Sequence, residues 1–305
     1  MPNKDNQLDG VKDRLPKIRC VLHEPMSAHT SFRVGGPAEL FFLPQSREEL
    51  TQVLTFCKKE GIPSLILGNG SNLLVSDKGF SGAVIAMEAL QKVERKGNII
   101  YADAGVRLGI LAHEACKAAL TGLEFAAGIP GTVGGALVMN AGAYGGEIKD
   151  VLKKARILTP EGNVEEWTPE ELELSYRHSC IPEKGLVVLG AWFELKEGDP
   201  EEIRGQMQML GRQRKEKQPL EYPSAGSTFK RPEGYFAGKL IQDAGLAGYR
   251  VGGAAVSAKH CGFVINEDHA SAADIWELCR QVKERVEEQF GVTLELEVKT
   301  IGEFD

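Results

Sequence analysis

Long hydrophobic runs are missing from this chain. The most apolar stretch, LVVLGAWFEL from Leu186 to Leu195, has about half the roughly 20 residues that a bilayer-spanning helix needs. The amino-terminal MPNKDNQLDGVKDRLPK is polar and has no apolar h-region, so neither a secretory signal nor a membrane association is expected. Cysteine is sparse: the six, at positions 20, 57, 116, 180, 261 and 279, form no CxxC pair. A chain this long does not need disulfide staples, and free thiols in the cytoplasm are the expectation. Positive charge is also short, with 36 Lys and Arg against 43 Asp and Glu and a formal charge of -7. That balance lacks the global basic field of a nonspecific nucleic-acid binder, but an anionic small molecule could still meet a local basic patch.

Several catalytic signatures are absent too. Gly68-Asn69-Gly70 begins like a dinucleotide fingerprint, but Leu73 stands where the third glycine belongs. No GxxxxGK[ST] follows a strand. His113-Glu-Ala-Cys-Lys117 starts as a zincin motif and ends with lysine instead of histidine. The six histidines have no metal spacing and no GxSxG elbow occurs, so neither a metal site nor serine-hydrolase chemistry is expected.

What is present is ordinary globular composition. The 305 residues, 42% hydrophobic and 26% charged, suggest about two domains at roughly 150 residues each. Strands are expected at 38–43 and 64–67, with a helix between them that opens at Ser46 and Glu49 in capping-box spacing and stops at Gly61. Segments 82–87, 92–95 and 98–103 read as strands, the last two joined through Lys96-Gly97. A helix is expected near 107–121, a hairpin over 155–159 and 163–167, and a long buried strand over 186–195. The amphipathic pattern at 272–290, with Ser271 before it and Gly291 after it, predicts a helix with Ile275, Leu278, Val282 and Val286 inward. Residues 292–298 alternate, predicting a strand with valines and leucines on one face and Thr293, Glu295 and Glu297 on the other. Hairpins mixed with helices favour an α+β fold.

Two glycine-rich segments stand out. GNGSNLL at 68–74 follows a predicted buried strand, and its backbone N–H groups and small polar side chains suit a pyrophosphate. Residues 128–146 contain seven glycines in 19 positions, a density that implies close approach by a ligand or by another backbone. The pair, with Asn69, Asn72 and Asn140 beside glycines, favours a large phosphate-bearing cofactor over tight turns alone. From Arg204 to Lys239 there are eight Lys and Arg against three Asp and Glu, which suits a diphosphate or a solvated helix face about equally.

The motifs GNGSNLLVSD, AGIPGTVGGALVMNAGAYGGEI, SYRHS, PSAGSTFKRP and the closing LEVKTIG resemble, in order from about His29 to Gly302, the UDP-N-acetylenolpyruvoylglucosamine reductase family. AGIPGTVGG alone marks the wider FAD-binding superfamily of vanillyl-alcohol-oxidase type, and the later motifs narrow it. Only 69 residues separate Ser227 from Glu297, which resembles the family's shorter, type II form.

The resemblance implies a two-subdomain FAD-binding fold of vanillyl-alcohol-oxidase type, over 1–85 and 86–203, plus an α+β substrate domain over 204–295. A final strand near 296–305 would return to the first subdomain. It implies noncovalent FAD with NADPH as hydride donor, and reduction of UDP-N-acetylglucosamine enolpyruvate for peptidoglycan, with no obligate protein partner. The implied cofactor contacts are Gly68, Asn69, Gly70, Ser71, Asn72 and Leu73, then Gly128, Ile129, Pro130, Gly131, Thr132, Gly134, Gly135, Asn140, Gly142 and Ala143. Arg177 matches the family's arginine for the substrate carboxylate, Ser227 its proton donor and Glu297 the glutamate of the closing strand. Tyr176, Lys217, Lys230, Arg231 and Lys239 are the substrate candidates, with Arg212 and Arg214 behind them. His260 and Phe263 read as core residues. The alternatives are another flavin-dependent sugar oxidoreductase, or a nucleotide-sugar binding flavoprotein without catalysis.

Overall fold

A computed structural model describes Val11 and residues 14–304. The polar stretch 1–10, the start of the expected first subdomain, lies outside the described residues. The chain divides into two compact units, each built from separated stretches. One comprises residues up to Leu22, Leu40–Asn69 and Gly82–Gln213; the other comprises His23–Glu39, Gly70–Ser81 and residues from Arg214 onward.

The first unit holds the helix Arg47–Glu60. The Ser46 side chain accepts the Glu49 N–H at its start, and Gly61 closes it in the left-handed region at φ 64°. Ser46 and Gly61 cap it as the sequence predicts, but the Glu49 carboxylate accepts the Gln45 N–H at 2.7 Å, so the expected capping box forms only in its Ser46 half. Ser64–Leu67 then pairs in parallel with Phe80–Ala86, Leu65 opposite Val84. A separate five-stranded antiparallel sheet has the order Val164–Trp167, Leu152–Leu158, Val187–Glu194, Ile99–Asp103, Val93–Lys96. Alternation sorts its faces: Ala155 and Ile157 are fully buried, while the Arg156 guanidinium lies over the Trp192 ring at 4.7 Å. Burial and the neighbouring Asp103 carboxylate together push the Tyr101 phenol well above its ordinary pKa. The helix expected near 107–121 is shorter, Leu108–Lys117, because Ala119 turns left-handed at φ 57° and Leu120–Thr121 leaves as a strand.

The second unit has the sheet Arg250–Val251, Ala254–Val256, Val264–Asn266 and the helix Ala272–Phe290. Ser271 and Asp274 form a reciprocal capping box and Gly291 ends the helix at φ 64°. The Asp77 carboxylate accepts the Ala272 and Ala273 N–H groups, each at 2.9 Å. Ile275, Leu278, Val282 and Val286 are completely buried with Leu240, Ile241, Val256 and Leu294. Near the carboxyl end, Lys299–Ile301 pairs in parallel with Leu73–Val75.

The predicted strand over 292–298 does not form as one. That stretch makes a single bridge, Leu296 with Phe229, and the strand proper is Lys299–Ile301. Leu294 and Val298 are buried as the alternation requires, but one neighbouring segment does not extend into a ladder. Helix Pro200–Lys217 buries only Ile203, and the division between the units falls inside it, after Gln213. All six cysteines are free. No described helix is long and apolar enough to cross a membrane.

Truncating the fully buried Leu278 to alanine is expected to lower stability by about 2–5 kcal/mol. Leu220→Ala, at a half-exposed side chain, is expected to stay within about 0.5 kcal/mol of the parent. Urea unfolding followed by circular dichroism reads both.

Candidate functional site

In the first unit the two glycine-rich segments meet. The Asn69 amide donates to the Pro130 carbonyl at 2.6 Å. A Cβ on Gly68 would sit 2.5 Å from the Thr132 hydroxyl oxygen, so only glycine permits the approach. Thr132 is itself buried and caps the short helix Val133–Val138 by accepting the Gly135 N–H at 3.4 Å. The segment is fastened on its other side as well. Leu108 N–H donates to the Gly131 carbonyl and Gly134 N–H to the Ala104 carbonyl. A Cβ on Gly134 would press on the Ala104 methyl at 3.1 Å. Gly128, Pro130 and Gly135 are exposed and Ile129 is half-buried.

Gly142–Ala143 and Gly146–Glu147 form a two-residue hairpin. Tyr144 and Gly145 at its tip have φ 53° and 89°, the left-handed pair of a tight hairpin turn. Asn140 is completely buried. Its amide donates to the Glu147 carboxylate and to the Ser175 carbonyl, both at 3.0 Å, and its oxygen accepts the Lys149 N–H at 3.0 Å. The side chain thus holds protein to protein, although the sequence pattern singles it out as a cofactor contact. Ser175 and His178 bridge each other, leaving Tyr176 and Arg177 at a turn tip with Arg177 left-handed at φ 54°. The guanidinium donates to the Gly142 carbonyl at 3.1 Å and lies 5.2 Å from the centre of the Tyr176 ring. Glu147 is held below the ordinary carboxylate range by its bond to Lys149, helped by Asn140 and by the charge of Arg177.

In the second unit Gly70 adopts φ 59°, and a Cβ there would lie 1.9 Å from the His29 carbonyl oxygen. Its own carbonyl accepts the Ser31 N–H at 3.1 Å. Asn72 donates through its amide to the Glu297 carbonyl at 3.1 Å and accepts the Lys299 N–H on its backbone. Ser71 and Leu73 are half-buried. Ser227 is exposed beside Gly226, whose φ is 76°. The next residue fixes it: Thr228 accepts the Glu297 N–H on its carbonyl at 2.9 Å and donates its N–H to the Gly262 carbonyl. The Thr228 hydroxyl oxygen accepts the Val264 N–H. Ser227 and the half-buried Glu297 therefore occupy neighbouring extended segments.

The basic candidates carry partners or face solvent. Lys230 pairs with Glu295 at 3.0 Å, and Lys239 pairs with Asp243 one helical turn on. Arg231 lies over the Phe236 ring at 3.9 Å and donates to the Tyr235 carbonyl. Lys217 and Arg212 are exposed and Arg214 is half-buried. His260 is structural: its Nδ1 accepts the Gly262 N–H at 3.2 Å, and burial lowers its pKa.

A large phosphate-bearing cofactor fits the residues present. The Ser31 hydroxyl oxygen is buried without a hydrogen-bond partner, beside the backbone grip on Gly70, and an orphaned buried hydroxyl costs stability unless a ligand satisfies it. Nothing in the sequence pattern singles out Ser31. A Cβ on exposed Gly135 would meet nothing nearer than 3.7 Å, which leaves that turn approachable. Among the described residues no cluster of His, Cys, Asp or Glu could hold a metal ion.

Residues 38–168 match the model of an FAD binding domain, and residues 218–301 match that of the UDP-N-acetylenolpyruvoylglucosamine reductase C-terminal domain. A UDP-N-acetylenolpyruvoylglucosamine reductase from Clostridium novyi is 54% identical, with 98% of this chain and 96% of that protein covered. One from Caldanaerobacter subterraneus is 50% identical over 97% of this chain and 98% of its own length. A solved structure of the Thermus caldophilus UDP-N-acetylenolpyruvylglucosamine reductase matches with a TM-score of 0.80 and 39% identity, covering 94% of this chain and 99% of that one. The identity extends over nearly the whole chain and both domain models fall in order, and so this chain belongs to the UDP-N-acetylenolpyruvoylglucosamine reductase family.

Proposed function

We propose that this chain is an FAD-containing, NADPH-dependent oxidoreductase that reduces UDP-N-acetylglucosamine enolpyruvate to UDP-N-acetylmuramate, serving peptidoglycan synthesis in the cytoplasm. The backbone hydrogen bond from Glu297 to Thr228 carries the reading, because it sets a hydroxyl and a carboxyl on adjoining segments of a chain of this family. A bound FAD would supply the hydride chemistry that links NADPH to the β-carbon of the enolpyruvyl ether. The protein must then handle a negative charge that grows at the α-carbon and spreads into the substrate carboxylate.

Arg177 binds that carboxylate. Its guanidinium stays protonated and presents a fork of donors that suits a carboxylate gaining charge. Ser227 gives its hydroxyl proton to the α-carbon, and water restores it. A serine is a weak acid, but a carbanion is basic enough to take the proton from a positioned hydroxyl. Glu297 assists by sharing a hydrogen bond with the developing dianion, which requires its proton, since an ionised carboxylate would oppose the charge.

The cofactor would be held noncovalently by residues 68–73, 128–135 and 140–143 on a scaffold of vanillyl-alcohol-oxidase type. Asn140 would serve it by holding the adjoining segment, because its side-chain amide and its backbone N–H are both committed to protein. Segments up to 85 and over 86–203 would be the FAD-binding subdomains and 204–295 the substrate domain. The pairing of Lys299–Ile301 with Leu73–Val75 supports a closing strand that returns to the first of them. Tyr176, Lys217, Lys230, Arg231 and Lys239 would meet the substrate, with Lys230 and Lys239 exchanging carboxylate partners for phosphate. The reaction needs only small-molecule ligands.

The purified chain is expected to be yellow and to bleach with NADPH before any substrate is added. Its colour should return on addition of the enolpyruvyl substrate. Indifference to NADPH with rapid oxygen consumption on a simple sugar would instead indicate a sugar oxidase. Ser227→Ala is expected to leave bleaching by NADPH within about twofold of the parent, while reoxidation by substrate slows by about two orders of magnitude or more. Stopped-flow absorbance separates the two half-reactions, and fast reoxidation in the variant would remove Ser227 from the proton-donor role.

A further inference from the structure

We infer that Asn140 and Glu147 are positioning residues for Arg177, a role that rests on the reaction proposed above. Two elements meet around Arg177. One is the hairpin Gly142–Glu147, which supplies the carbonyl that Arg177 grips at 3.1 Å. The other is the 175–178 turn, which carries Arg177 at φ 54°. Asn140 is the side chain that ties them, donating one N–H to Glu147 and the other to the Ser175 carbonyl.

The coupling is built from parts that resist substitution. Asn140 is completely buried and sits left-handed at φ 39°, a conformation asparagine tolerates better than most residues. All three of its strong hydrogen-bonding functions are used, two N–H groups and the oxygen. Removing it takes one donor from the Ser175 carbonyl, which keeps the His178 N–H, and one from the Glu147 carboxylate. Gly142 admits no side chain, since a Cβ there would lie 2.8 Å from the Glu147 side chain and from the Gly146 carbonyl. Glu147 also takes part in a capping box with Asp150 and pairs with Lys149 at 2.9 Å. The carboxylate is therefore anchored from both ends of its own turn, and its charge acts on Arg177 from a fixed place.

A non-glycine residue in the left-handed region stays there only when its surroundings insist. The turn that carries Arg177 has its own two-bond bridge, Ser175 with His178, and Asn140 locks the carbonyl of the same Ser175. With that lock removed, the bridge alone must hold the turn against the hairpin. A displacement of about 1 Å in a substrate-orienting group can cost about a hundredfold in rate.

The test uses the full chain loaded with FAD, following bleaching by NADPH and reoxidation by UDP-N-acetylglucosamine enolpyruvate separately. Asn140→Ala is expected to slow reoxidation about tenfold or more. Glu147→Gln, which keeps the shape and an oxygen for the Asn140 donor, is expected to slow reoxidation several-fold while bleaching changes less than about twofold. In an Arg177→Ala background neither change should add more than about twofold, because the group they position is gone. Effects that multiply on top of Arg177→Ala, or a Glu147→Gln variant that slows both half-reactions together, would overturn the inference. Because Glu147→Gln preserves packing, an unfolded Asn140→Ala leaves the question answerable. Unaffected variants beside an active parent overturn the positioning role alone; a parent that substrate never reoxidises overturns the reaction and this role with it.

Discussion

The first unit's glycine-rich region depends on how closely Gly68 can come to Thr132. With 2.5 Å between the position of a Cβ and the threonine oxygen, a side chain on residue 68 would push the two segments apart. Thr132 could not retreat, because it is buried and caps the helix behind it. The Asn69 amide closes the same joint from the side through Pro130. Two segments more than 50 positions apart in sequence thus behave as one rigid surface, and Leu108 and Ala104 brace its far edge through backbone bonds. A ligand that meets such a surface spends little ordering it.

Caps and periodicity were the most legible part of the amino-acid sequence. Ser46 with Gly61, and Ser271 with Gly291, bracket helices that the structure reproduces to the residue, because those ends are decided by local hydrogen bonds. The stretch 292–298 shows where local pattern stops. Its alternation correctly sorts Leu294 and Val298 inward, but a ladder needs an equally long neighbour, which no pattern within the segment reports. The glycines are ambiguous for a related reason. Density announces that something comes close, yet Gly68, Gly70, Gly134 and Gly142 are each approached by protein atoms, which only the tertiary structure reveals. Asn140 follows the same logic: an asparagine beside glycines gives no sign in the sequence that Glu147 and Ser175 hold its amide. The roles proposed for Arg177, Ser227 and Glu297 rest on the family motifs, since nothing in the spacing of these residues distinguishes them from solvated loop residues.

The basic stretch after residue 200 is quieter than its composition suggests. Two of its cations are met by acids outside it, Lys230 by Glu295 and Lys239 by Asp243 one helical turn on. Such exposed pairs stabilise a fold very little. The same stretch contributes cation–aromatic stacking through Arg231 on Phe236, which keeps a flexible side chain in one place.

The parallel pairing of Lys299–Ile301 with Leu73–Val75 has a consequence for how the chain comes into being. During synthesis, strand 73–75 emerges long before its partner, and it must wait through more than two hundred residues with one edge unsatisfied. The second unit is threaded from three separate stretches, so it closes only when the ribosome has almost finished. Such distant pairings are slow to find and leave sheet edges open meanwhile. The first unit gathers its last stretch well earlier, which makes birth order, and not only final architecture, a property written into the topology.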